Sequence, residues 1–167
     1  MKRILICLFA IVCFVMSLPL SAGAQAAPII TNDFQTVSTY TEYYQDGYAE
    51  ITVTKKVSKN GILAAGNEYY IIGSKTYTWY DVNGKPLWDF VVIGDFRVIH
   101  NEYVVCIAAS GAPHSFDKAW SCSSSTAFPE FNIAVGKATF KRKILFVTVD
   151  TRKIEVRLYC SKTGQLS

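Results

Sequence analysis

Cys106, Cys122 and Cys160, with His100 and His114, are the residues that could act as nucleophiles, bases or metal ligands beyond the first 24 positions. A catalytic thiol needs an imidazole beside it and a lowered pKa. Cys106 instead follows Val104 and Val105 in an apolar stretch that would raise its pKa. No CxxC, HxH or HExxH spacing occurs, so the sequence proposes no metal ligands and no cofactor. The carboxylates divide into turn residues, such as Asp33, Asp46, Asp81, Asp117 and Asp150, and polar-face strand residues, such as Glu50 and Glu155. Solvated groups of this kind keep ordinary pKa values. Asp89 and Asp95 flank apolar runs and are expected on an outer sheet face or at a bulge. No GxSxG elbow or phosphate-cradling glycine loop occurs either. No catalytic residue is therefore assigned.

Three cysteines allow one disulfide and one free thiol. A Cys106–Cys160 bridge would tie the middle of the chain to its last strand. Cys106–Cys122 is the alternative, since both residues flank a hairpin centred near His114. The two loops differ too little in closure entropy, about 4 against ~3 kcal/mol, to choose between them. Three reduced thiols packed as small apolar side chains are the third reading.

The aromatic residues are more distinctive. Tyr40, Tyr43, Tyr44 and Tyr48 crowd one hairpin, and Tyr69, Tyr70, Tyr77, Trp79 and Tyr80 crowd the next strand. Tyrosines among threonines on a wet sheet face could stack on sugar rings or meet a protein. Tyr40, Tyr44, Thr76, Thr78 and Tyr80 form the expected aromatic surface; simple strand-forming preference explains the same residues without a ligand. Lys137, Lys141, Arg142, Lys143, Arg152, Lys153 and Arg157 cluster near the last hairpin. They could touch an anionic polymer or lipid head group, or serve as a solvated edge that discourages strand-to-strand association.

The elements that must position these side chains are strands. No stretch after residue 24 holds a capped helical period for more than about two turns. Ala49, Ile51, Val53 and Val57 alternate with Glu50, Thr52, Thr54 and Lys56, and Ile154, Val156, Leu158 and Cys160 alternate with Glu155, Arg157 and Tyr159. Trp88, Phe90, Val92, Phe96 and Val98 share one face of a longer strand, with Gly94 expected at a bend or bulge. Asp46-Gly47, Asn83-Gly84 and Asp150-Thr151-Arg152-Lys153 read as hairpin turns, and Ser110–Pro113 as a strand end. Ser58–Glu68 and Ser121–Asn132 read as longer connections. Eight or nine strands in one domain spanning 33–167 predict a two-sheet antiparallel β-sandwich, immunoglobulin-like in architecture, with a β-barrel as the alternative.

Residues 1–24 read as an export signal: Lys2 and Arg3, an apolar run from Ile4 to Leu20, then Ala22-Gly23-Ala24 as a small-x-small cleavage site. Residues 25–32 follow as a short linker. Lys2 and Arg3 belong to the 17 basic residues, so the chain after Ala24 carries 15 against 13 acidic ones, a net charge of +2. A net charge that small offers no electrostatic footprint for nucleic acid or anionic lipid. The expected protein is secreted, without a membrane span once the signal is removed, at the cell surface or in the medium.

The run GSKTYTWYDVNGKPLWDFVVIGDF (Gly73–Phe96), the Cys106 strand, AWSCSSS (Ala119–Ser125) and the closing LYCSKTGQLS (Leu158–Ser167) resemble a family of small secreted proteins from Firmicutes, Gram-positive bacteria of gut and soil. The resemblance spans most of 40–167 and implies export and a single β domain. No function is established for that family, and the resemblance transfers no catalytic residue.

The expected function is therefore that of a non-enzymatic module binding an extracellular glycan or protein. A self-associating structural or accessory protein is the alternative, and a secreted hydrolase a lesser one.

Overall fold

A computed structural model describes residues 33–58 and 68–167. The export signal, the linker and most of the Ser58–Glu68 connection lie outside the described residues. The described chain is all strand, without a helix, in the order β1 (Gln35–Tyr44), β2 (Gly47–Ser58), β3 (Glu68–Tyr80), β4 (Pro86–Ile99), β5 (Tyr103–Ser115), β6 (Trp120–Glu130), β7 (Ile133–Ile144) and β8 (Val147–Tyr159). These form two antiparallel sheets, β1-β2-β3-β4-β5 and β6-β7-β8. The sandwich is as expected, and it does not close into a barrel: the edges β1 and β8 are unpaired with each other. Each sheet is a meander in chain order, so the two-layer architecture comes without the Greek-key connections of immunoglobulin domains.

Period-two alternation puts the apolar faces together. Ile51, Ile71, Trp88, Phe90, Val92, Phe96 and Val98 of the larger sheet pack against Ala134, Phe140, Val156 and Leu158 of the smaller one. Phe140 stacks on Trp88 with ring centroids 4.2 Å apart. Gly94 lies within a continuous β4, not at a bend. A Cβ there would come within 2.7 Å of Ala134 Cβ, so it is the close approach of the two sheets that requires glycine. The bulge falls one residue later, between Asp95 and Phe96 opposite Ala108 and Cys106.

Three expected boundaries are corrected. Asp150–Lys153 is no turn but part of β8, where Arg152 pairs with Asp150 and with Asp46 of the β1–β2 turn. The turn before it is made by Leu145 and Phe146, both at positive φ (46° and 70°). Left-handed backbone costs an L-residue with a bulky side chain about 1–2 kcal/mol. Ser110–Pro113 continues β5 to Ser115, which is possible because β5 is an edge strand and Pro113 withholds its missing N–H from no partner. Ser121–Asn132 is mostly β6, a polar edge strand.

After β8 the chain reverses at Ser161–Gly164 and returns. Tyr159 and Ser167 exchange backbone hydrogen bonds (2.9 and 3.1 Å), and Leu166 enters the core. Lys55 Nζ donates to the Gly164 carbonyl (2.6 Å) and the Tyr69 hydroxyl to that of Thr163 (3.0 Å), so the returning segment is tied to β2 and β3. It covers one end of the overhanging larger sheet and leaves the other end open.

Candidate functional site: an aromatic cleft at the open side of the sandwich

The smaller sheet has three strands and the larger five, so β1 and the adjoining part of β2 extend past β8. All ten residues of β1 are exposed. Between this overhang and β8 lies a cleft of about 300 Å³. Glu42 and Tyr44 of β1, Tyr77 and Trp79 of β3 and Trp88 of β4 form one wall, and Arg152, Lys153, Ile154 and Glu155 of β8 the other.

Register explains who faces the cleft. The tight turn at Gln45–Asp46 sets Tyr44 opposite Gly47, Glu42 opposite Ala49 and Tyr40 opposite Ile51. Ala49 and Ile51 face the core, so their β1 partners point to the same side. Across β2, Ile51 and Ala49 are opposite Tyr77 and Trp79. Thr76, Thr78 and Tyr80 instead pair with Thr52, Glu50 and Tyr48, on the outer face. The expected surface of Tyr40, Tyr44, Thr76, Thr78 and Tyr80 is therefore divided: the sheet separates two tyrosines at the overhang from a Thr/Tyr ladder on the far side. On that outer face Tyr48 stacks on Tyr80 at 4.8 Å, and Tyr43 is 82% exposed.

Within the cleft the polar groups are connected. Tyr77 donates to the Tyr44 hydroxyl (3.5 Å), which donates to Glu42 Oε2 (2.8 Å). Burial, with the bond to Tyr44, raises the Tyr77 pKa. For Tyr44 the bond from Tyr77 lowers it, but Glu42 and burial outweigh that and raise it. Both phenols are neutral donors at physiological pH. The Arg152 guanidinium lies over Trp79, 5.0 Å from the ring centroid. The deepest group is Trp88, whose buried indole Nε1 has no hydrogen-bond partner in the protein. Glu155 is held below the usual carboxylate range by Arg157 and Lys137. The sequence places Glu42 and Tyr77 in no site, and Arg152 only in the basic cluster of the last hairpin. For Glu42 the signal was available in the β1–β2 turn length; for Arg152 it was hidden by reading a turn.

Cys106, Cys122 and Cys160 are free thiols, which corrects the expected Cys106–Cys160 bridge and its Cys106–Cys122 alternative. Each donates to a nearby carbonyl: Cys106 to Ala108, Cys122 to Ser124 and Cys160 to Ser161. Burial pushes the Cys106 thiol up to about 11 and the Cys160 thiol up to about 12, the latter partly offset by Lys55. Their backbone N–H groups hold the β6–β7 turn, donating to Phe131 and Asn132. His100 stands by Tyr69, and His114 lies across from Asp89 on the outer face. Among the described residues, no group of three or more His, Cys, Asp or Glu side chains could hold a metal ion, and no helix is long and apolar enough to cross a membrane.

The fold and the cleft together define a two-sheet meander sandwich with an aromatic, charged cleft at its open side. Compared with protein-family models, curated proteins and solved structures, the chain matches none of them.

Proposed function

We propose that the chain is exported and acts outside the cell as a non-enzymatic binding module, with a single sugar ring of a glycan seated in the β1–β8 cleft. The observation that carries this reading is the combination, in one cleft, of the half-exposed Tyr44 ring and the hydrogen-bonded chain Tyr77–Tyr44–Glu42, with Arg152 on the facing wall. A pyranose presents an apolar C–H face for the ring and hydroxyls that can bond the polar groups around it. Glu42 and Arg152 supply an acceptor and donors at the rim. The volume suits one ring, at the small end of ligand sites. Glu155 is kept ionised by two cations, the opposite of what a glycosidase's general acid requires, which favours binding over hydrolysis.

Affinity electrophoresis through gels containing neutral or acidic soluble polysaccharides tests this. Retardation by at least one polymer is expected, with Tyr44→Ala weakening it about tenfold, as loss of one stacking contact implies. A chain that runs unretarded in every polymer would leave a protein segment as the occupant.

The β1 edge supports the self-associating alternative. Glu42 is the only charge along its ten exposed residues, so it lacks the lysines that usually block strand addition. A dimer in sedimentation that Thr39→Lys converts to monomer would favour that reading.

A further inference from the structure

The β7–β8 hairpin ends in a group that neither the cleft nor the core uses. Every residue from Arg142 to Val149 is exposed. Phe146 is 99% and Leu145 87% exposed, with Ile144 and Val147 beside them. Phe140 and Arg152 lie level with Trp88 and Trp79. Counted from there, the hairpin runs about two residues, roughly 7 Å, farther than the neighbouring β3–β4 turn. The tip thus stands clear of the rest of the sandwich.

The turn's own geometry does not explain these residues. Both central positions have positive φ, where Asn or Gly would sit without strain. Gly84 does so in the β3–β4 turn, at φ 79°. Leucine and phenylalanine are the wrong residues for the bend and the right ones for an apolar contact.

Cations surround the tip. Lys141 and Lys143 lie on one face of β7 and Arg142 on the other, while Lys118 is brought near by the bond from the Lys143 N–H to the Ala119 carbonyl (2.8 Å). Of the nearest carboxylates, Asp150 is engaged with Arg152, and Asp117 pairs with Lys85 and also lies close enough to Arg142 to feel its charge. An apolar end with a collar of net positive charge matches the chemistry of an anionic bilayer surface, acyl chains below and negative head groups around them.

We propose that the β7–β8 hairpin docks the protein on anionic lipid, with Leu145 and Phe146 entering the acyl boundary and Lys141, Arg142, Lys143 and Lys118 at head-group level. This contact is independent of the cleft and of any glycan. It leaves the cleft beside the membrane-facing end, because Arg152 and Lys153 belong to the same hairpin.

The full chain is mixed with phosphatidylcholine vesicles and with phosphatidylglycerol–phosphatidylcholine vesicles, and binding is read by sedimentation. Stronger binding to the anionic vesicles is expected. Phe146→Trp adds a reporter at the tip, whereas Trp79, Trp88 and Trp120 are buried and out of reach of lipid. Its emission should be quenched by brominated acyl chains. Leu145→Ser with Phe146→Ser should weaken binding more than tenfold, and each Lys→Gln in the collar about fivefold at low salt. Near-UV circular dichroism should be unchanged, since the replaced side chains pack on nothing. Absence of vesicle binding overturns the proposal. So does binding in which the Phe146→Trp reporter stays unquenched, because another surface then holds the lipid. A concentration-dependent dimer that disappears in the double serine variant overturns it too, since the tip would then be covered by a second copy.

Discussion

The guanidinium of Arg152 covers the face of Trp79 at 5.0 Å while its Nη2 reaches Asp46 and its Nε reaches Asp150. One side chain thereby joins β8 of the smaller sheet to β3 and to the β1–β2 turn of the larger one, at the side where the sandwich has no covering strand. Arginine is suited to this because its plane stacks on an indole while its edge donates to carboxylates.

Arg152→Leu should lower stability by about 1–2 kcal/mol, from loss of the cation–π contact and of the carboxylate pairs. Arg152→Lys should recover less than half of that, since an ammonium cannot stack and fork at once. Urea unfolding checks this through a lower midpoint at unchanged slope. Equal midpoints for the three proteins would mean that Arg152 lies on the cleft without holding it.

How far the fold was legible follows from which residues had local reasons for their places. The faces of Ala49–Val57, Trp88–Val98 and Ile154–Cys160 were readable because alternation against one core is a local pattern. The place of Arg152 was not. Asp150, Thr151, Arg152 and Lys153 have turn-like composition, and what makes them strand is the ladder to β7, with Lys141 opposite Thr151 and Phe140 opposite Arg152, closed by the turn at Leu145 and Phe146. Leu145 and Phe146 carry no turn signal at all. The divided tyrosine surface was half legible: the Asp46-Gly47 hairpin sets Tyr40 and Tyr44 on the side of Ile51, while β3 alternation sets Thr76, Thr78 and Tyr80 on the other. Combining the two registers would have separated them. That the smaller sheet stops at β8, which creates the cleft, depends on how strands divide between sheets, and no local pattern reports that.

Leu166 and Gly73 are predicted to be energetically coupled. Leu166 is 5% exposed, and a Cβ on Gly73 would stand 2.6 Å from its Cδ1 and 3.1 Å from Leu158 Cδ2. Leu166→Ala should cost about 2–4 kcal/mol as a buried truncation. Gly73→Ala should cost about 1–3 kcal/mol through overpacking. In the double variant the new methyl partly fills the space that Leu166 vacates. The sum of the single effects should exceed the double effect by at least about 1 kcal/mol in a mutant cycle from urea unfolding. Additive values would show that the returning C-terminal segment does not pack against β3.

Cys106 and Cys160 should resist alkylation in the folded protein. With thiols at about 11 and about 12, the thiolate fraction at pH 8 is roughly a thousandth or less. Peptide mass spectrometry after iodoacetamide treatment should find Cys122, the least buried of the three, labelled first. Urea should release Cys106 and Cys160 together. Labelling of the folded protein should quicken about tenfold per pH unit until the fold opens. Recovery of Cys106 and Cys160 as a cross-linked peptide would contradict the free thiols.

Asp89 should make its own mark on the pH dependence of stability. It lies on the outer face between Thr78 and His114, and its Oδ1 is buried without a partner. Burial raises its pKa, against a smaller lowering by His114. A carboxyl whose folded pKa lies above its unfolded value of about 3.9 binds its proton more tightly in the folded state. Its contribution to stability therefore grows as pH falls from above the folded pKa to below the unfolded one, and at neutral pH the ionised group is a net cost. Asp117, Glu68 and Glu155 have lowered values from their cationic partners and act with the opposite sign, so the wild-type curve alone mixes the two. The difference between Asp89→Asn and wild type isolates it. The variant should be the more stable protein at pH 7, its advantage should shrink as pH falls through the raised pKa, and the two should converge near pH 3, where Asp89 is neutral in both states. Urea midpoints across that range provide the measurement. A constant difference at every pH would place the effect in packing, and a variant less stable at pH 7 would mean that the ionised carboxylate has a partner on the outer face.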